Sequence, residues 1–145
     1  MMVVDGQGIP LGVLLASAQV AEVKLAQSTL ETISVRQARG RPRTRPGKVT
    51  CDRAYDSRSL RAYLRKRGIA CCIPARRRPK GWRPKRGRPT LAKKADYAKR
   101  WIVERTFAHL GNYRRLLIRW ERHLSIYRAF FMFAVGLICI NQLLK

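Results

Sequence analysis

The chain is short of acid. Eight aspartates and glutamates face thirty-two lysines and arginines in 145 residues, a formal net charge of +24. Self-repulsion at that level opposes a compact state unless something neutralises it. It excludes an acidic or cation-buffering protein and implies a polyanionic partner, nucleic acid before an anionic membrane surface. Histidine is also scarce, with only His109 and His123. The four cysteines, Cys51, Cys71, Cys72 and Cys139, form no C-x2-C pair. Adjacent Cys71 and Cys72 are poor co-ligands for one zinc, so free thiols in a reducing cytosol are expected. The start "MMVVDGQGIP" lacks the basic segment and long apolar run of a secretory signal. No apolar run reaches the roughly twenty residues that span a bilayer. The nearest, residues 129–144, is interrupted by Asn141 and Gln142 and is read as a buried core helix, with no membrane partner.

Apolar residues make up 46% of the chain, which separates it from a disordered basic tail. The length fits one domain, residues 1–145. Two apolar runs, Met1–Val4 and Leu11–Leu15, flank Asp5-Gly6-Gln7-Gly8 and predict a hairpin. Residues 20–35 place Val20, Val23, Leu25, Leu30 and Ile33 at loosely helical spacing. Residues 36–48 hold six basic residues, two prolines, two glycines and no acid, so they read as a loop. "VTCD", 49–52, reads as a short strand ending in an acid. "DSRSLRAYLRKRG" follows as a helix with Asp56 or Ser57 as N-cap, Leu60 and Leu64 inward, and Gly68 as the stop. "IACCIP" is a second buried strand. A second basic loop, about 75–90, carries eight lysines or arginines between 76 and 88, with Trp82 in their midst. Helices are expected over about 92–110, 113–121 and 124–144, with Trp101, Trp120, Phe130, Phe131 and Phe133 in the core. Strands followed by helices give an α/β class: a mixed sheet with packed helices and a helical C-terminus.

Two acids stand out. Asp52 ends a short apolar strand, and Glu104 sits in a later amphipathic helix among Lys99, Arg100 and Arg105. Brought together, such carboxylates offer hard oxygen ligands to a divalent metal. With a third they can hold two metal ions for phosphodiester chemistry. The plainer alternative makes Glu104 an i,i+4 partner of Arg100 on a solvated face, and Asp52 a cap at the strand end. Tyr97 and Arg100, at i−7 and i−4, fall on the helical side of Glu104.

"VTCDRAYDSRSLRAYLRKRGIACCIPARR" resembles the segment around the second acid of bacterial insertion-sequence transposases. "YAKRWIVERTFAHLGNYRRLLIRWER" resembles the same family's Y-x2-R-x3-E signature, with Tyr97, Arg100 and Glu104 in place. The family is the insertion-sequence-four/five superfamily of DDE transposases, and the resemblance runs from "DGQGIPLGV" to the last apolar helix. It implies a partial ribonuclease-H-like fold, Mg2+ or Mn2+ as cofactor, and insertion-sequence DNA ends as substrate. Asp52 becomes the second metal-binding carboxylate and Glu104 the third. Arg100 orients Glu104 or meets a phosphate; Tyr97 positions DNA or packs. The family's first Asp lies in an Asp-x-Thr segment upstream of "DGQGIPL", and the neighbours of Asp5 do not match it. Where the family often has a Lys seven residues after the Glu, this chain has Gly111, and Arg114 or Arg115 is the substitute.

The resemblance therefore implies the C-terminal part of a transposase, completed by an upstream reading frame or left as a decayed copy. It further implies a homo-oligomer on DNA, an upstream-frame product or intact transposase as partner, and a bacterial cytoplasmic, nucleoid-associated location. Arg76, Arg77, Arg78, Lys85, Arg86 and Arg88 are the expected phosphate contacts, with Trp82 placed to stack on an unpaired base or to pack back on the domain. The other readings are a catalytically dead DNA-binding remnant and a basic RNA-binding protein, which needs no metal acids.

Overall fold

The computed structural model describes residues 1–76 and 94–144. They form a mixed α/β structure, about 48% helical. Strand β1 (Met2–Val4) pairs antiparallel with β2 (Pro10–Val13), and the register slips between Val3 and Val4. Asp5 closes the connecting turn: its Oδ1 accepts from the backbone N–H of Gln7 and of Ile9, both at 2.9 Å. Gly8 takes φ +95°, a conformation open to glycine.

Helix α1 (Glu22–Glu31) is shorter than its hydrophobic pattern suggested and buries Ala26, Thr29 and Leu30. Its end locks onto β2, where Thr32 Oγ1 accepts from Val13 N at 3.1 Å. Strand β3 (Lys48–Thr50) leads into a 3-10 turn at Arg53–Tyr55, then helix α2 (Arg58–Lys66), then β4 (Ala70–Cys72), parallel to β3. Ser57 caps α2 by accepting from Leu60 N at 3.1 Å, and Gly68 ends it at φ +65°. Asp56 is not the cap; it binds Arg61 Nε at 2.8 Å.

Helix α3 (Lys94–Ala98) and helix α4 (Trp101–Gly111) take the place of one continuous helix, separated by a turn at Lys99 and Arg100. A single turn, α5 (Arg114–Leu117), precedes α6 (Leu124–Leu143). One core joins α1 to α2 and β4 through Ala26, Leu30, Ile33, Leu60, Leu64, Ile69 and Ile73. A second joins β1, α4 and α6 through Met2, Leu110, Phe131, Ala134, Val135 and Ile138. Leu64 is fully buried in the first. Leu64→Ala is expected to destabilise by about 2–5 kcal/mol, measured by urea unfolding.

Several expectations need correction. The strands do not form one mixed sheet among the described residues; they form two separate two-stranded sheets. Trp101 and Trp120 are exposed, at 52% and 74%, and so are Phe130 and Phe133; Phe131 alone of the three phenylalanines is buried. Trp120 lies between α5 and α6, outside any helix, and the Phe130 ring lies under the Arg115 guanidinium of α5, 4.9 Å from its centroid. Trp101 is covered by the Arg105 guanidinium, 4.9 Å from the ring centroid. The helix expected over 113–121 is only the single turn α5, while the last helix, Leu124–Leu143, starts where it was expected. By length and composition alone it is long enough to cross a membrane; its Ala134, Val135 and Ile138 pack in the second core.

Candidate active site

Among the described residues, strand β1 has a free edge. Met1 and Leu14 exchange both backbone bonds, at 2.7 and 2.9 Å, beyond the β1–β2 pairing. Antiparallel alternation then points the N–H and C=O of Met2 away from β2. Among the same residues, strand β3 has one too. Ala70 N–H donates to Gly47 O at 3.0 Å, and Cys51 N–H to Cys72 O at 3.2 Å. Lys48 and Thr50, lying between, direct their backbone groups away from β4. Both edges bound one cleft of about 680 Å³, walled by α1, α2 and α4. Ala26, Leu30, Leu60, Leu64, Ile102 and Phe107 give it an apolar lining.

Five of the chain's eight acids line this cleft: Asp5, Glu22, Asp52, Asp96 and Glu104. Each also bonds within the fold. Asp52 Oδ1 accepts from Ala54 N at 2.8 Å, which caps the 3-10 turn. Glu104 pairs with Arg100, Nη1 to Oε1 at 2.7 Å, with the carboxylate side chain 57% exposed. Glu22 accepts from the Tyr55 hydroxyl at 2.7 Å, and Asp96 binds Lys48 at 2.8 Å. So the plainer readings of Asp52 as a cap and Glu104 as an i,i+4 partner are both realised, in residues that also share a cleft. No group of three acids, histidines or cysteines that could hold a metal occurs among the described residues.

Helix α4 is held in place from the β1–β2 turn. Thr106, buried, donates from Oγ1 to Gly8 O at 3.0 Å, and Arg105 Nη2 donates to Gln7 O at 2.7 Å. A Cβ at Gly8 would lie 3.0 Å from Thr106 Oγ1. This clamp sets where Glu104 meets the cleft. The sequence signal for it is weak: a threonine on the apolar side of a helix, with its acceptor 98 positions away. Thr106→Val keeps the shape and removes the donor. It is expected to lower stability by about 1–3 kcal/mol, read from thermal unfolding.

Burial, reinforced by nearby Asp52, pushes the Cys51 thiol up to about 12. Burial and the bond to Glu22 likewise push the Tyr55 hydroxyl far above its ordinary value. Cys51 should therefore resist alkylation at pH 8, its thiolate fraction falling by about 1000-fold against an ordinary thiol. The neutral thiol is the form the fold favours. Its contribution is complete below the unfolded value near 9 and lost as pH rises towards 12. Pulsed alkylation with peptide mapping checks the first point.

The other candidate residues fall in three places. Arg100 and Lys99 line the cleft, and Tyr97 stacks on Arg100, centroid to guanidinium 5.9 Å. The turn at Lys99 and Arg100 thus leaves Tyr97, Arg100 and Glu104 together. Arg76 is tied beside Asp52's turn: its N–H donates to Asp56 Oδ2 at 2.8 Å, and Nη2 to Ala54 O at 3.0 Å. Arg114 and Arg115 lie on α5, outside the cleft lining; Arg115 pairs with Glu121 at 2.9 Å and covers the Phe130 ring at 4.9 Å. Arg77, Arg78, Trp82, Lys85, Arg86 and Arg88 lie outside the described residues.

The family described as "Transposase DDE domain" matches residues 1–141. The chain belongs to this family of transposases. It is 40% identical over 143 residues to a protein of Burkholderia cepacia, "Putative transposase for insertion sequence element IS402". That match covers 98% of this chain and 62% of the relative's length. No solved structure matches it.

Proposed function

We propose that this chain is the C-terminal part of a ribonuclease-H-like transposase catalytic domain. Completed by a preceding segment, it cleaves and joins insertion-sequence ends with Mg2+ or Mn2+. The observation that supports the reading is that Asp52 and Glu104 both line one cleft bounded, among the described residues, by two unpaired sheet edges. In the completed protein a strand from the preceding segment fills that cleft and brings the first acid beside Asp52 and Glu104. Residues 1–145 are then part of one domain, with basic loops at about 36–48 and 75–90.

The residues present suit a divalent cation in type, since carboxylate oxygens are its preferred ligands. Two are too few for a two-metal site, so the third acid is the missing element. When bound, the ions activate a water or hydroxyl and stabilise the leaving oxygen. The chain's own residues prepare the place. Asp52 Oδ1 is fixed by Ala54 N–H, which orients the carboxylate at the strand end. Arg100 holds one oxygen of Glu104; with that carboxylate serving as a ligand, the guanidinium would be placed to meet a phosphate. Lys99 adds positive charge at the same rim. Arg76, Arg77, Arg78, Lys85, Arg86, Arg88, Arg114 and Arg115 draw in the DNA backbone, and Trp82 stacks on an exposed base. The location that follows is the bacterial cytoplasm, at the nucleoid.

The test combines the purified chain with the preceding segment of the Burkholderia cepacia relative and labelled DNA carrying insertion-sequence ends. Metal-dependent cleavage by the mixture, with DNA binding but no cleavage by this chain alone, is the expected outcome. Binding without cleavage in both cases identifies a DNA-binding remnant or a regulator of intact transposase.

A further inference from the structure

The turn that carries Asp52 is tied down from behind. Its own bond, Ala54 N–H to Asp52 Oδ1 at 2.8 Å, is the first link. The carbonyl of the same residue, Ala54 O, accepts from Arg76 Nη2 at 3.0 Å. The backbone N–H of Arg76 donates in turn to Asp56 Oδ2 at 2.8 Å. The second oxygen of Asp56, Oδ1, takes Arg61 Nε at 2.8 Å, and Arg61 Nη2 donates to Ile73 O at 2.8 Å. Residues 73–76, which follow β4, are thereby fastened to residues 52–56, which follow β3.

Asp56 is one of only eight acids in the chain, and it does not line the cleft. Its side chain and that of Arg61 are 12% and 17% exposed, so the pair is largely desolvated. An acid needed only to anchor α2 is served by Arg61. Asp56 also spends an oxygen on a backbone N–H 20 positions away, in the residue whose guanidinium closes on the Asp52 turn.

We propose that Asp56 and Arg76 are positioning residues for Asp52: together they fix the 3-10 turn so that the carboxylate holds one orientation at the strand end. The inference rests on the reading of Asp52 as a metal ligand. Groups that orient a ligating carboxylate commonly change metal affinity by about 10- to 100-fold. Rotating Asp52 away moves Ala54 against Arg76, and Arg76 is held by Asp56. Charge alone makes the opposite forecast. Arg76 is a cation behind an anionic ligand, so its removal on that ground tightens a bound cation.

The test uses the chain combined with its preceding segment, Mn2+ as the probe and paramagnetic resonance of the free ion as the readout, without DNA. Arg76→Ala removes the guanidinium and keeps the backbone N–H that Asp56 holds. It is expected to weaken Mn2+ binding by about tenfold, although it takes away a positive charge. Thermal unfolding should not move, since the Arg76 side chain is exposed. Asp56→Asn should weaken Mn2+ binding at least as much, and the double variant should do no worse than Asp56→Asn alone, because both cut one path. Asp56→Asn also strips Arg61 of its partner, so Arg76→Ala is the deciding variant. Mn2+ binding unchanged or tighter in Arg76→Ala, while Asp52→Asn abolishes it, overturns the proposal and leaves Asp52 a ligand. An additive loss in the double variant overturns it too. So does a salt slope for DNA shallower by about 0.9 with Mn2+ binding intact, which makes Arg76 a phosphate contact only. Mn2+ binding that survives Asp52→Asn sinks the metal reading of Asp52 and this proposal with it.

Discussion

In the chain completed by its preceding segment, Asp52→Asn and Glu104→Gln each lower Mg2+-dependent strand cleavage by about 10³-fold or more, while DNA affinity stays within about threefold at fixed salt. The magnitude follows from what each change removes. A carboxylate that binds a divalent ion contributes both a ligand oxygen and a full negative charge; an amide keeps the shape and loses the charge. The Glu104 substitution leaves the fold nearly untouched, because its ion pair with Arg100 is an exposed one, with side chains 57% and 41% open. Pairs of that kind contribute about 0–1 kcal/mol. Asp52→Asn keeps an oxygen to accept from Ala54 N–H, so the 3-10 turn survives. Arg100→Gln separates two roles. If Arg100 meets phosphate, the variant loses cleavage with metal affinity unchanged; if it only orients Glu104, metal affinity falls too. A completed protein that cleaves equally well with Gln at position 104 sinks the assignment of Glu104.

Much of the local structure could be read from residues alone, because its causes are local. The Asp5 turn, the Ser57 cap, the Gly68 stop and the inward Leu60 and Leu64 each depend on contacts within a few positions. Asp52 and Glu104 were singled out from the order of two motifs 52 positions apart, and both line the cleft. What could not be read was decided between distant segments. The clamp of Thr106 on Gly8, and the bond of Tyr55 to Glu22, have no signature in either partner's neighbourhood. Exposure failed for the same reason. Helical spacing says that Trp101, Phe130 and Phe133 share sides with apolar neighbours; it does not say which side finds another element. The cleft itself is a long-range feature. It exists because, among the described residues, β1 pairs only with β2 and β3 only with β4, and strand pairing across separate segments leaves no periodic mark in either strand.

Binding to duplex DNA should weaken by about 10³–10⁵ between 50 and 200 mM salt, the loss expected for six to ten neutralised phosphates. Each contact releases condensed counterions, and the slope of log K against log salt counts them at about −0.9 per phosphate. The basic loop at 36–48 gives a direct way to apportion that slope. Arg36, Arg39 and Arg41 are exposed there. Replacing all three with glutamine should make the slope shallower by about 2.7 if each meets a phosphate, measured by fluorescence anisotropy across a salt series. Arg45 is a poor choice for the same experiment, because its Nη1 donates to Arg67 O at 3.2 Å and supports the end of α2. Glu104→Gln should leave the slope unchanged, since it alters no cation. The two measurements therefore fail independently. A flat slope in the triple variant, with cleavage intact, makes the loop a solubilising one and leaves the metal acids standing. A steep slope with no cleavage in the completed protein leaves a polyanion-binding fold whose catalytic function has been lost.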